Sequence, residues 1–431
     1  MTQRCLYILL AAIMPFIAAA QQRQQYVAVK NGQFVVNNKP WYFIGTNYWY
    51  GGLLAQGKDA EKGKARLRKE LDFLKAQGVT NLRVLAGSEG HGLVNGVERV
   101  KPVLQPEHGV YNKEWMEGLD YLLYEMGKRQ MYAVLFLSNN WEWSGGFLQY
   151  LNWNGQLTDS AMKSKMNWGD LRDNTSRFYH CTPCQEDYRK QVEYIITHVN
   201  RYTKRSYRNE PAIMAWELAN EPRPMRPAAV DAYKQWTAAT AAYIKTLDGN
   251  HLITLGTEGI MGTEESADLF REVHTPAQVD YLTLHIWPKN WSWFKDTAIA
   301  ASLPVVKEKA VSYIQTHAAI AQQLKKPLVV EEFGLPRNGH AFEPSAAVTL
   351  RNELFASIFG VWKQSRTQGG PVAGCNFWAF GGTARPIEGQ TFWKEGNDFM
   401  GDPPQEEQGL NTVFDSDVST WKLIRSFIHS K

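Results

Sequence analysis

Two short runs carry side chains able to make and break bonds. Trp216-Glu217-Leu218-Ala219-Asn220-Glu221-Pro222 closes an apolar stretch at 212–218, and Val329-Val330-Glu331-Glu332-Phe333-Gly334 closes another at 327–331. If both stretches are strands of one parallel barrel, a carboxylate stands at the carboxyl end of each, on the face where barrel chemistry takes place. Two carboxylates meeting across such a mouth suit cleavage of the acetal bond between sugars. One protonates the leaving oxygen, and the other supports or attacks the sugar carbon as positive charge develops. Either glutamate alone would be read as half of a salt bridge or as a helix cap. Two at strand ends, both beside aromatic residues, argue for chemistry.

The chain supplies the elements needed to hold them there. Apolar strand-like runs recur at 41–46, 80–85, 131–137, 212–218, 251–256, 279–284, 327–331 and 372–378. Between them lie helical patterns. Trp115, Leu119, Leu122 and Met126 mark one; Tyr188, Val192, Ile195, Val199 and Tyr202 another; Leu67, Leu71 and Leu74 a third, stopped by Gly78. Ile314, Ala318 and Ala321 mark a fourth, and Leu350, Leu354, Ile358 and Val361 a fifth. This alternation predicts a single (β/α)8 TIM barrel of the α/β class over residues 21–431, with long βα loops at 86–111, 138–184, 286–301 and 379–415. An open doubly wound sheet would show a glycine-rich turn after its first strand; here that strand ends Gly45-Thr46-Asn47-Tyr48-Trp49. Ahead of the barrel, Asn31-Gly32 within an alternating segment predicts a β-hairpin.

The 431 residues are 44% hydrophobic and 21% charged, with a formal net charge of +4. So small a surplus gives no reason to expect nucleic acid or an acidic partner. The 16 tryptophans exceed what a core needs, so some are expected on a binding surface. Residues 1–20, with Arg4 followed by a short apolar run and Ala18-Ala19-Ala20, read as a signal peptide for secretion or periplasmic export. The run is too short for a membrane anchor and contains Pro15. Cys181 and Cys184 lie in a polar CTPC loop, where a short disulfide is open. Cys375 falls in an apolar strand and reads as a buried small residue. No zinc-ligand spacing and no thioredoxin-like context accompany the pair.

Taken in order, the motifs resemble glycoside hydrolase family 5, a retaining family of clan A, and its β-mannanase branch in particular. The likeness runs from about Phe34 to the C-terminus. It implies Glu221 as acid/base in Asn220-Glu221-Pro222, and Glu332 as nucleophile, since an aromatic residue and glycine follow it. It further implies Arg83, in Asn81-Leu82-Arg83-Val84, beneath the nucleophile; His285, in Leu284-His285-Ile286-Trp287-Pro288, on the sixth strand; and Trp378, in Asn376-Phe377-Trp378-Ala379, as the floor of the cleaved sugar's site. Strand alternation puts Glu331 and Glu332 on opposite sides. Arg83 is expected to depress the pKa of Glu332, and Asn220 to bond a sugar 2-hydroxyl. Many members have tyrosine two residues after the histidine; here Trp287 stands there, with an N–H but no hydroxyl.

The expected substrate is a β-linked polysaccharide, β-mannan or a relative. Trp141, Trp143, Trp287, Trp291 and Trp293 gather in two loops and offer flat faces to pyranose rings. Trp49 joins them as a supporting residue, and Glu258 is expected either to touch sugar or to hold His285. Internal cleavage is favoured. An exo-acting mannosidase and a cellulase share the same machinery, and a non-catalytic carbohydrate-binding barrel would keep the tryptophans without needing both glutamates. Scattered histidines argue against a metal hydrolase, and no strand-end lysine suggests a Schiff-base aldolase. No cofactor is implied, because two carboxylates suffice.

Overall fold

The computed structural model describes residues 24–295 and 298–430, so the expected signal peptide lies outside the described residues. Eight strands form one parallel sheet: β1 (Phe43–Asn47), β2 (Asn81–Leu85), β3 (Tyr132–Phe136), β4 (Ile213–Glu217), β5 (Leu252–Thr254), β6 (Leu282–Ile286), β7 (Leu328–Phe333) and β8 (Val372–Phe377). Their order is β5-β4-β3-β2-β1-β8-β7-β6, so first and last strands by sequence are neighbours, as barrel closure requires. The remaining seam, β5 against β6, is bridged by Asp280 N–H to the Ile253 carbonyl (2.8 Å) and His285 N–H to that of Glu258 (3.3 Å). Helices α1 (Ala60–Ala76), α2 (Lys113–Lys128), α3 (Thr182–Thr197), α4 (Val230–Leu247), α5 (Ala267–His274), α6 (Ile299–Leu324), α7 (Thr349–Gln368) and α8 (Val418–Ile428) surround it. The expected barrel is therefore the observed one, with β6 and β7 reaching two residues further than the apolar runs suggested.

The helices follow their apolar stripes. Leu67, Leu71 and Leu74 are buried on α1, and Gly78 beyond its end takes φ +86°, the conformation a helix stop asks of glycine. On α2, the Asn112 side chain accepts from the N–H groups of Glu114 and Trp115, satisfying free donors of the first turn. The stripe from Tyr188 to Tyr202 overreaches. α3 stops at Thr197 and Val199 is exposed, because Asp120 of α2 draws the chain away by bonding His198 Nε2 (2.9 Å) and the Arg201 N–H (2.8 Å).

The hairpin forms where expected. Ala28–Lys30 pairs antiparallel with Gln33–Val36, and Asn31 and Gly32 both have positive φ. A third short strand, Lys39–Pro40, extends it. Phe34 packs there against Phe43 and Tyr281, closing the barrel floor opposite the catalytic mouth. The segment 138–184, expected as loop, contains three helices, Gly146–Trp153, Asp159–Lys163 and Trp168–Ser176. Cys181 and Cys184 are buried at the start of α3 rather than in an open loop, and a disulfide joins them. Among the described residues, no helix is long and apolar enough to cross a membrane.

Candidate active site

The chain leaves β4 through a strained residue. Glu221 has φ +51°, a left-handed conformation unusual for glutamate. Its N–H donates to the Gly256 carbonyl (2.9 Å), which helps hold the backbone in place. The residue is 6% exposed. His285 Nδ1 lies 2.6 Å from Glu221 Oε1, and the Trp141 indole N–H donates to Oε2. Across the mouth, Glu332 on β7 is 3% exposed. It accepts from Arg83 Nη1 on one oxygen and from Trp287 Nε1 on the other (3.1 Å). One ligand-type atom from each of Glu221, His285 and Glu332 falls within 4.8 Å of the others, so the sequence's two carboxylates do meet.

Arg83 organises the floor. Nε and Nη2 donate to Glu217 (2.8 and 2.6 Å), Nη2 also to Asn220 Oδ1 (2.7 Å), and Nη1 to Asn47 Oδ1 (3.1 Å) as well as Glu332. Asn220 donates to Asn139 Oδ1 (3.1 Å), which leaves one amide N–H for a ligand. Trp287 fills the expected tyrosine's role as donor to Glu332, and its ring meets Trp378 edge-on at 5.7 Å between centroids.

Burial dominates the electrostatics. It raises the pKa of Glu221, against Arg223, the Trp141 N–H and Arg83. It raises Glu332 well above the usual carboxylate range, against Arg83 and with the added push of Glu221's charge. The expectation that Arg83 depresses Glu332 is corrected to this extent: the guanidinium pulls the right way, but it is shared with Glu217 and does not outweigh desolvation. His285, fully buried beside Arg83, falls well below the ordinary imidazole value and is neutral.

Above these groups opens a cleft of about 730 Å³, with Trp141, Trp143, Trp168, Trp287, Trp291 and Trp378 in its walls. Two of the tryptophans named from the sequence do not line it. Trp49 is 1% exposed, donates to the Gly401 carbonyl (2.9 Å) and packs edge-on against Trp143, so it braces the wall from behind. Trp293 turns towards Trp291, Tyr313 and Lys309. Glu258 lines the cleft, and its carboxylate accepts from Arg223 rather than from His285.

Several lining residues escaped the sequence reading. Arg223 stacks over Trp141 at 5.2 Å and directly follows the Asn220-Glu221-Pro222 motif, the one signal that could have exposed it. Trp168 is 51% exposed and stacks beside Trp141 (6.2 Å). Gln405 and Glu406 reach the cleft from the 379–415 segment, where nothing in the local pattern announces them.

A family model of GH family 5 beta-mannosidase-like proteins matches residues 24–430. The chain belongs to glycoside hydrolase family 5. Its relatives include mannan endo-1,4-beta-mannosidase 1 of Arabidopsis thaliana, 28% identical over 376 residues and covering 82% of each chain. Mannan endo-1,4-beta-mannosidase 4 of Oryza sativa subsp. japonica is 29% identical over 381 residues, covering 84% of this chain and 75% of that one. Among solved structures, a family 5 mannosidase from Rhizomucor miehei in complex with mannosyl-fructose matches with TM-score 0.83 and 28% identity, over 94% of this chain and 97% of that one. The protein is a glycoside hydrolase, and its family 5 barrel carries the paired carboxylates at the ends of β4 and β7.

Proposed function

We propose that the protein is an endo-β-1,4-mannanase that works by double displacement with retention, with Glu332 as nucleophile and Glu221 as acid/base. The observation that carries this reading is the spacing of the pair: oxygens within 4.8 Å leave no room for a water between carboxylate and sugar, as inversion would need. The charge is assigned to Glu332 on geometry, because it accepts from the Arg83 guanidinium and from the Trp287 N–H; burial raises both carboxyls, and Glu221, with no cation in hydrogen-bond contact, carries the proton. Glu221 protonates the leaving oxygen while Glu332 attacks the anomeric carbon. Esterification removes the negative charge of Glu332, the Glu221 pKa falls, and Glu221 takes a proton from the incoming water. The spare N–H of Asn220 serves the sugar 2-hydroxyl, and Trp378 lies under the ring. The names of the plant relatives support mannan as substrate.

Exo-action is the second reading. Gln405 and Glu406 wall the cleft with side-chain oxygens that are buried and unbonded, as a site closing on a chain end would have, and the Rhizomucor relative is called a mannosidase. Incubation with linear β-1,4-mannan and with soluble cellulose separates these. A ladder of manno-oligosaccharides from mannan supports the proposal, mannose alone makes the enzyme exo-acting, and activity only on cellulose overturns the substrate. Residues 1–20 are proposed to direct secretion or periplasmic export, checked by N-terminal sequencing of the exported protein.

A further inference from the structure

Consecutive residues of a regular strand face opposite ways, yet Glu331 and Glu332 both reach Arg83, Glu331 at 3.6 Å from Nε and Glu332 through Nη1. The register of β6 against β7 explains this. Leu284 stands opposite Val330 and His285 opposite Glu332, so Glu331 is the extra residue of a bulge. It is 1% exposed, and Arg83 has given all its donors to Glu217, Asn220, Asn47 and Glu332. Neither Glu331 oxygen, both buried, accepts a hydrogen bond, and an O–H there has two acceptors beside it, the Glu217 carboxylate and His285 Nε2. An ionised carboxylate in that position would be an anion out of water with no donor, which is costly; a carboxylic acid avoids the penalty. Burial and the nearby Glu217 charge push its pKa well up. The polar groups that face it are Arg83 from β2, Glu217 from β4, Tyr281 just before β6 and His285 from β6; the Tyr281 hydroxyl is also held neutral by burial.

His285 has the complementary deficit. It is neutral and carries one N–H. Nδ1 faces two acceptors, Glu221 Oε1 at 2.6 Å and Glu332 Oε2 at 3.4 Å. Nε2 is buried without a partner, and Glu331 Oε2 lies 3.6 Å from it, just beyond hydrogen-bond length.

We propose that Glu331 is a positioning residue: a neutral acid whose O–H donates to His285 Nε2 and so holds the imidazole as the Nδ1–H tautomer that bonds Glu221. This rests on Glu221 being the acid/base. With Nδ1–H in place, the imidazole steadies the Glu221 carboxylate after it has given its proton to the leaving group. In the opposite tautomer a bare Nδ1 would accept the Glu221 proton and withhold it from the substrate.

The test is 15N NMR of histidine-labelled protein, with His285 assigned by comparison with His285→Phe. The native protein should show Nδ1–H at His285. Glu331→Leu should switch it to Nε2–H, lower kcat on mannan at least ~10-fold, in keeping with the usual size of acid–base contributions, and move the alkaline limb of kcat/KM upward. Glu331→Gln, whose amide donates where the acid did, should keep Nδ1–H and recover most of the lost kcat. An Nε2–H tautomer in the native protein overturns the proposal, as does Glu331→Leu with tautomer and pH profile unchanged. If Glu331→Leu does not fold, the native spectrum and Glu331→Gln decide. The tautomer is read without substrate, so failure of the mannan reading is told apart from failure of this one.

Discussion

Arg83 and Glu217 are joined through two bonds, Nε to Oε2 at 2.8 Å and Nη2 to Oε1 at 2.6 Å, and this pairing aims the rest of the guanidinium at Glu332 and Asn220. Gly256 is packed against it. A Cβ there would come within 2.2 Å of both Glu217 Oε1 and the Ala219 carbonyl, at φ +79°. Gly256→Ala should therefore turn Glu217 and unseat Arg83. The expected result is a loss of stability of about 1–3 kcal/mol together with a fall in kcat larger than any change in KM, read from thermal melts and steady-state kinetics. Unchanged kcat would mean that Arg83 is not held in place from this side.

The proposed roles of the two carboxylates separate by leaving group. Glu332→Gln should abolish turnover of every substrate while leaving binding of manno-oligosaccharides measurable by calorimetry. Glu221→Gln should lower kcat on mannan by ~10²–10⁴-fold, and far less on an aryl mannoside whose leaving group needs no proton.

Arg223 lowers the pKa of Glu221 by its charge, and its side chain also neutralises Glu258. Removing it in Arg223→Met makes the ionised form of Glu221 less favourable. The acid must be protonated to act, so activity is lost as pH rises through its pKa. A raised pKa moves that alkaline limb to higher pH, and a pH profile of kcat/KM on mannan reads the shift. A limb that stays put or moves down would place its origin elsewhere.

The cleft wall formed by Trp141 and Trp168 gives a binding prediction. Trp168 is half-exposed and bonds no reacting group. Trp168→Ala should raise KM for long manno-oligosaccharides by about 2–10-fold, the usual worth of an aromatic stacking contact, with the effect falling on KM rather than kcat.

Stability has its own hinge far from the mouth. Asp417 accepts from Arg337 Nη1 and Nη2 (3.0 and 2.8 Å), from Arg351 Nη2 (2.9 Å) and from the Phe414 N–H (2.9 Å), all buried. Asp417→Ala strands two guanidinium groups and should cost about 3–5 kcal/mol in chemical denaturation.

Much of the site was legible because its members belong to local patterns. Glu221 and Glu332 are named by the residues that flank them, and Arg83, His285 and Trp378 by the short motifs that resemble those of the family. Trp49 was named as a supporting residue on its type and place alone, without the contacts that make it one. Only packing against Trp143 and the Gly401 carbonyl shows that it faces inward. Arg223 and Trp168 went unseen because an exposed or half-buried side chain leaves no period in the sequence.

Sequence alone determined the barrel, the order of its strands and the pair of carboxylates, since these depend on apolar periodicity and on short motifs that each strand carries for itself. Tertiary structure decided which way the side chains turn and what charge they bear. The β7 bulge brings Glu331 and Glu332 to one guanidinium where a regular pleat would part them, and the depth of burial overrides the pull of Arg83 on Glu332. Register and desolvation are properties of neighbours drawn from distant parts of the chain, and no local run of residues encodes them.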